Sequence, residues 1–321
     1  MRVRYAALVA VVAPGLAHAD TPRDTPAAIE VDREVAPPGR SELGFDAGAP
    51  VDGWAAAVSL GYLDAPITLR GPGLTSHPVA HRETLALGGA IALGDAAVVD
   101  VRMPFAHQTG GRLTITGDGR ALDHWVPGDL RIGGRARVVN TEPADGFIRA
   151  ELSLPTGDEG NFAGEPSWSL SWSLIGRFRL PAGIVVAASG GIRLRGAEVM
   201  LVDRVIGDEL QGGIGIAVPI PPIHPLWCVA DQVKLTGEVV GVLGDAVGSS
   251  KGPSPIEIRL GVVTRPLETF TIGVRAGAGL GDQIGAPAWR AILELTYHGS
   301  GRLIPPTTSA EAEDQGESDE P

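Results

Sequence analysis

The chain is poor in cysteine, in aromatic residues and in uninterrupted apolar runs, and each shortage excludes a class of structure. Its single cysteine, Cys228, excludes an internal disulfide framework, so packing and backbone hydrogen bonds must stabilise the fold. Glycines and charges break every later stretch before it reaches the roughly eighteen apolar residues of a helical membrane span. If the protein crosses a membrane, it therefore does so with strands.

A basic excess is also missing, because the formal net charge is -12 at pH 7. Nucleic-acid-binding proteins need a basic surface, so no nucleic-acid partner is expected. Much of the acid lies near the C-terminus, where the run EAEDQGESDE predicts a disordered acidic tail over residues 299–321.

The N-terminus has the features of an export signal. Arg2 and Arg4 precede an apolar run, and an Ala-His-Ala cleavage motif follows at residues 17–19. This arrangement predicts a Sec signal peptide over residues 1–19. Residues 20–50 are rich in Pro, Asp and Ala without a sustained period, and are predicted to form a disordered periplasmic N-terminal arm.

An alternation of apolar and charged residues recurs between residues 51 and 298. In GFIRAELSL, at residues 146–154, the aliphatic side chains share one face of a strand, whereas Arg149 and Glu151 point to the other. We count roughly twelve such segments, each about as long as a tilted membrane strand. The pattern fits either a soluble sheet with one wet face or a membrane barrel with lipid outside and water inside.

The predicted connections separate these alternatives, because long and short links alternate along the chain. Long links at 63–80, 104–126, 155–166 and 196–206 alternate with short ones at 94–95, 141–145 and 181–183; only 219–231 is longer than the scheme requires. Transmembrane barrels have short periplasmic turns and long outer loops. The sequence therefore predicts an all-β fold: a closed antiparallel up-and-down transmembrane β-barrel of about twelve strands over residues 51–298.

Aromatic placement supports the barrel, since such proteins carry rings at both lipid interfaces. Trp54 and Tyr62 are eight positions apart on the first predicted strand, and Trp289 and Tyr297 repeat that spacing on the last. Eight strand residues at a tilt of about 40° span about 20 Å, close to the apolar band of a barrel. The predicted membrane-interface aromatics are Trp54, Tyr62, Trp168, Phe178, Trp289 and Tyr297.

The runs GDLRIGGRARVV, ELSLPTGDEGNFAG, IGDELQGGIGIAVPI and GEVVG resemble the barrel portion of OmpA-family outer-membrane proteins of myxobacterial type. The most specific pieces are LPTGD with a following Phe-x-Gly, at residues 154–164, and IGDEL at residues 206–210. The resemblance implies an outer-membrane barrel. The peptidoglycan-binding domain often appended in that family is not expected here, because the residues after Tyr297 are few and polar.

The inward face of the predicted barrel collects more basic than acidic side chains. An excess of arginine in a pore favours anions and solutes with carboxylate or phosphate groups. The simpler interpretation is that these charges pair across strands and fill a narrow lumen. The predicted lumen-lining residues are Arg131, Arg135, Arg137, Arg149, Glu151, Arg177, Arg179, Arg193, Arg195, Lys234, Glu238, Glu257, Arg259, Arg275, Arg290 and Glu294.

Two other interpretations remain open. A barrel enzyme could use loop histidines: His77 and His81 could hold a metal, and His124 beside Asp123 could activate water. No Gly-x-Ser-x-Gly or His-Glu-x-x-His motif accompanies them. The other interpretation is a secreted, soluble β-sandwich binding protein.

We predict a bacterial outer-membrane barrel with a structural or passive-transport, porin-like role. No catalytic residue, cofactor or metal is expected. The expected partners are outer-membrane lipid, the barrel assembly machinery during insertion and small solutes.

Overall fold

The computed structural model describes residues 36–39, 41–48, 50–71, 74–110, 122, 124–201, 204–221, 233–244, 254–281 and 284–300. The predicted signal peptide, Cys228 and the acidic tail beyond residue 300 lie outside these residues.

Strands make up almost all of the regular structure in the described ranges. They are β1 (Trp54–Gly71), β2 (Leu74–Leu93), β3 (Ala97–Thr109), β4 (Trp125–Pro127), β5 (Leu130–Asn140), β6 (Ala144–Leu154), β7 (Ser169–Arg179), β8 (Val185–Arg195), β9 (Val199–Leu201), β10 (Arg204–Ile206), β11 (Glu209–Pro219), β12 (Val233–Leu243), β13 (Ile256–Leu267), β14 (Phe270–Gly279) and β15 (Trp289–Gly299). Two short 3-10 helices cover Glu159–Asn161 and Pro181–Gly183. Within the described ranges, no helix is long and apolar enough to span a bilayer.

Twelve of these strands form one closed antiparallel cycle, in which each strand pairs with its neighbours along the chain. The cycle runs β1-β2-β3-β5-β6-β7-β8-β11-β12-β13-β14-β15 and returns to β1 through pairs from Trp54↔Gly299 to Asp64↔Trp289. The short β4 pairs with β3, and β9 with β10 forms a separate hairpin. The predicted up-and-down barrel is confirmed, and a two-layer sandwich is wrong because the sheet closes on itself.

The first predicted loop is largely strand. β1 continues to Gly71 and β2 begins at Leu74, so most of the residues in the link predicted over 63–80 belong to these two strands. The sequence does not predict this extension, because a proline at position 66 argues against a continuous strand. Pro66 lies at a register irregularity of the β1–β2 ladder, where the backbone donor that proline lacks is not needed.

Two other predicted loops also contain strand. β3 runs to Thr109 and β4 begins at Trp125, within the loop predicted over residues 104–126. The β9–β10 hairpin occupies part of the loop predicted over residues 196–206. The end of β3 joins the sheet because the extended β2 supplies its partner, with pairing as far as His81↔Thr109. The periodicity of a single strand does not reveal such a partner.

Large apolar side chains cover the outside of the cycle. Leu174 of β7 and Leu260 of β13 are each 67% exposed. Comparable exposure is found on neighbouring strands at Leu60, Leu87, Val101, Ile132, Phe178, Ile214, Leu235, Val274 and Leu293. A continuous apolar surface of this extent is the lipid-facing belt of a transmembrane barrel.

Aromatic rings meet at both ends of the pairing between β1 and β15. At the end with the short turns, the ring centroids of Trp54 and Phe270 lie 5.3 and 5.1 Å from that of Tyr297. At the other end, the rings of Tyr62 and Trp289 lie 4.7 Å apart. The two clusters mark opposite edges of the belt.

Two further predicted aromatics lie at opposite ends of β7. Trp168 is half-buried immediately before the first residue of the strand, whereas Phe178 is exposed one residue before its end. Each position therefore lies at an edge of the apolar surface.

Candidate functional site in the barrel lumen

Charged side chains line the inside of the barrel, and most of those predicted from the alternation are buried. The buried ones are Arg131, Arg135, Arg149, Arg177, Arg193, Arg195, Lys234, Glu238, Glu257, Arg259, Arg275 and Arg290. Arg137, Glu151 and Glu294 are half-buried. Arg179 differs, because it ends β7 with 44% of its side chain exposed and pairs with Asp145 at the rim.

Inward charges pair within strands and across the strand that lies between β3 and β6. On β3 and β6, the guanidinium of Arg149 lies 2.6 Å from a carboxylate oxygen of Asp100 and 2.6 Å from one of Glu151. Arg102 also pairs with Glu151. β3 and β6 therefore neutralise part of each other's charge, in agreement with the simpler interpretation of the lumen.

Two more ion-pair groups extend this network. The first joins Arg275 to Glu238 at 3.1 Å and to Glu294, and joins Arg259 and Arg290 to Glu257, each at 2.9 Å. The second joins Arg195 to Glu209 at 3.0 Å and to Glu165 at 3.3 Å, and Arg193 to Glu165 at 3.5 Å. The barrel wall is thus highly charged yet extensively paired.

Residues 41–48, here called the inner segment, lie inside the barrel in the half nearest the short turns. They contact Phe147, near the start of β6, and Arg177, near the end of β7. The disordered arm predicted over residues 20–50 is therefore wrong for the inner segment. Its order depends on the enclosing wall, which local composition does not encode.

A groove of small wall residues accommodates the apolar side chains of the inner segment. Leu43 and Phe45 are buried there. Around them lie Val185, Ala187, Ala217 and Val240. A Cβ added at Gly215 would lie 3.0 Å from the ring of Phe45 and 3.1 Å from Leu43, so a larger residue would have to push these side chains back by a few tenths of an ångström.

Glu42 of the inner segment reaches three basic side chains of the wall. Its carboxylate oxygens lie 2.7 Å from Arg177, 3.4 Å from Lys234 and 3.6 Å from Arg265. Since three cations surround one carboxylate, the wall at this position carries more positive charge than Glu42 neutralises.

Asp46 forms a second anchor, on β5 and β6. Its carboxylate oxygens lie 3.1 Å from Arg149 and 3.3 Å from Arg135. Between the two anchors, the backbone N–H of Gly44 donates to Glu238 at 2.7 Å. The inner segment is thus held mainly by side chains of the wall.

A polar cavity borders the inner segment, and its space, together with the open solvent at its mouth, amounts to about 670 Å³. Phe45 and Asp46 form part of its boundary. The rest includes four arginines, three serines and one glutamate: Arg102, Arg131, Arg149, Arg193, Ser171, Ser173, Ser189 and Glu151. Guanidinium and hydroxyl donors in one enclosure suit oxyanions.

At the other end of the barrel, the loops gather around an apolar cluster. It consists of Ile67, Val79, Leu122, Phe162, Val199, Ile206 and Ile284. The loop between β6 and β7 is held there by Arg82, which donates to the carbonyl of Phe162 at 2.7 Å. Buried Asp129 accepts from the backbone N–H groups of Gly157 and Glu165 at 3.0 and 2.8 Å.

The histidines do not assemble a metal site among the described residues, where no cluster of three or more potential ligands occurs. Exposed His81 lies 2.9 Å from Asp64 and 2.8 Å from the hydroxyl of Tyr62. His77 contacts Thr68 at 3.3 Å, on the extended β1–β2 hairpin.

The structure describes His124 of the predicted loop site but not its predicted partner. His124 lies 3.5 Å from the side-chain amide of Asn161, whereas Asp123 is outside the described residues. His107 stacks near Trp125, with ring centroids 5.5 Å apart, and lies 3.6 Å from Glu83.

Sequence reasoning missed several charged residues inside the barrel and its loops. Asp100 and Arg102 alternate with the exposed Val99 and Val101, so the same rule of alternation finds them. The acids Glu42, Asp46, Asp129 and Glu165 lie outside the strands. No alternation of polar and apolar residues in the sequence predicts where these acids lie, because their positions depend on residues far away in the chain.

The barrel is similar in fold to solved outer-membrane channels. An outer-membrane channel from Pseudomonas putida F1 aligns with a TM-score of 0.54 at 13% identity, covering 80% of this chain and 99% of that one. The KdgM porin aligns with a TM-score of 0.45 at 9% identity, covering 76% and 99%. No protein-family model matches the chain, and no curated protein matches it significantly. The fold is that of outer-membrane β-barrels, while the resemblance to the OmpA family stays a prediction.

Proposed function

We propose that the protein is a porin-like barrel of the bacterial outer membrane that passes small anionic solutes passively. The observation that carries this proposal is the polar cavity inside a closed transmembrane barrel, whose lining combines four arginines and three serines with two carboxylates. Arginine donors in a confined space favour carboxylate and phosphate groups over cations.

The proposal includes the route and orientation of the chain. The signal peptide directs export, the assembly machinery inserts the barrel, and outer-membrane lipid covers its apolar belt. The short turns face the periplasm, as in other transmembrane barrels. A relation to OmpA-family barrels is part of the same proposal, supported by the LPTGD and IGDEL elements.

Ion selectivity in planar lipid bilayers tests the transport function. With a potassium chloride gradient across the membrane, we expect a reversal potential that favours chloride. Replacing Arg131→Gln in the cavity should reduce that preference. Arg179→Gln removes an equal charge at the exposed rim and should leave it nearly unchanged. Cation selectivity of the unaltered protein would contradict the proposal.

A structural barrel without transport is the second candidate. The ion pairs of the wall and the buried side chains of the inner segment favour it, because they occupy much of the lumen. Absence of conductance even after removal of the inner segment would support this structural role.

A further inference from the structure

On the basis of the proposed transport function, we propose that the inner segment occupies the pore's own ligand site. The site takes dianions whose two carboxylate groups are joined by an apolar or aromatic body. The segment is the displaceable occupant, and a soluble ligand of this kind competes with it.

The inner segment displays the features of such a ligand in order. In Glu42-Leu43-Gly44-Phe45-Asp46 a carboxylate stands at each end and two apolar side chains lie between them. Each of these groups contacts wall residues of matching chemistry. The carboxylates meet basic clusters, and the apolar side chains meet the groove of small residues.

The chain length limits the size of the ligand. Four residue steps separate Glu42 from Asp46, so their Cα atoms are at most about 14 Å apart even in a fully extended chain. A body of one ring with a carboxylate arm at either end falls within that reach. One carboxylate would take the place of Glu42 near Arg177 and Lys234, and the other that of Asp46 near Arg135.

The inner segment can leave without breaking the barrel. None of the described residues from 36 to 48 belongs to a strand, and the cycle of twelve strands is complete without them. Its departure removes a carboxylate from Arg177 and Lys234, which are buried. Buried cations that lose an acidic partner are costly, so an anion from solution is drawn to the site.

Labelling of a buried cysteine reports whether the segment moves. Ala47 is 4% exposed, so in the full-length Ala47→Cys/Cys228→Ser protein a membrane-impermeant maleimide should react slowly. The probe is 1,4-phenylenediacetate, and 4-methylphenylacetate serves as its single-charge analogue. We expect the dianion to accelerate labelling at a concentration about tenfold or more lower than the monoanion, because it replaces both anchors.

The double variant Glu42→Gln/Asp46→Asn tests the anchors. It keeps the shape of the segment but removes both charges, so labelling should be about tenfold or more faster without any ligand and insensitive to the dianion. Glu142→Gln removes a charge at an exposed turn on the same end of the barrel, and should behave as the parent. Retained heat-modifiable migration on a gel shows that each variant is folded.

Labelling and conductance separate this inference from the proposed function. If the parent conducts anions while neither the double variant nor the dianion changes labelling, the inference is overturned and the transport function stands. If the dianion and the double variant both accelerate labelling, but neither the parent nor the double variant conducts, the transport function is wrong. The segment then still occupies an anion site. Equal potency of the monoanion and the dianion would overturn the two-carboxylate ligand.

Discussion

At the scale of single residues, buried charged side chains hold irregular segments of the chain in place. Asp129 has no exposed surface, and its two carboxylate oxygens accept backbone hydrogen bonds from Gly157 and Glu165. Gly157 and Glu165 lie near the start and the end of the loop between β6 and β7. Because this loop has no strand pairing, the Asp129 side chain holds its two ends together. Charge-assisted bonds to backbone donors are among the stronger hydrogen bonds in proteins.

Removing this acceptor should loosen the loop between β6 and β7. For Asp129→Ala we expect a loss of about 2 to 3 kcal/mol in the free energy of unfolding, because one buried and one half-buried N–H group lose their partner. Urea unfolding measures the loss, and thermolysin should cut within residues 155–168 faster. Exposed Glu159→Gln on the same loop is the matched control. Unchanged cleavage of Asp129→Ala would refute this role.

At the scale of elements, the barrel strands separate two solvents. Even-numbered residues of β13 such as Ile258 and Leu260 are exposed on the outside, whereas Glu257 and Arg259 are buried inside. The β15 strand follows the same rule, with Leu293 and Leu295 outside and Arg290 inside. The outer row is favourable only if hydrocarbon covers it.

A charge on the outer row should reveal that hydrocarbon. We expect Leu260→Arg, near the middle of β13, to destabilise the protein by about 2 to 4 kcal/mol in lipid. Leu267→Arg ends the same strand and should cost about 0 to 1 kcal/mol, because the side chain reaches the interface. Urea unfolding in phospholipid vesicles compares the two. Equal and negligible costs would mean that water, not lipid, covers the outer row.

Tyr297 on the last strand should be needed for insertion. It is on the outer face and packs against Trp54 and Phe270 at the short-turn end of the barrel. We expect Tyr297→Asp to accumulate as unassembled periplasmic protein, since a carboxylate at the lipid interface opposes insertion. Tyr297→Phe keeps the ring and should insert. Fractionation of the cell envelope measures both, and normal insertion of the aspartate variant is the contrary result.

At the scale of the whole molecule, the decisive property is closure. The pairing of β1 with β15 joins the two ends of the sheet over the full run from Trp54↔Gly299 to Asp64↔Trp289. Closure satisfies the backbone hydrogen bonds that an open sheet would expose to lipid. It also encloses the space in which the inner segment and the ion-pair network lie.

Closure should make the protein heat-modifiable. In detergent gels, the unboiled barrel should migrate differently from the boiled chain, because the closed sheet resists unfolding, and the protein should be found in outer-membrane fractions. The double variant Glu42→Gln/Asp46→Asn should retain this property, since the inner segment is outside the cycle. Release of the protein by high salt alone would argue for a soluble or peripheral protein instead.

The sequence by itself determined the strands, their two faces and their all-β fold class. These properties are local, because neighbouring side chains on a strand always point to opposite faces, so Arg149 and Glu151 share the face opposite the aliphatic side chains wherever the strand is placed. Tertiary structure decided the extension of β1 and β2, where pairing continues past Pro66. It also decided the position of Glu42 and Asp46, whose partners are far along the chain. Such contacts arise only when the sheet closes, and closure brings together residues that no local period relates.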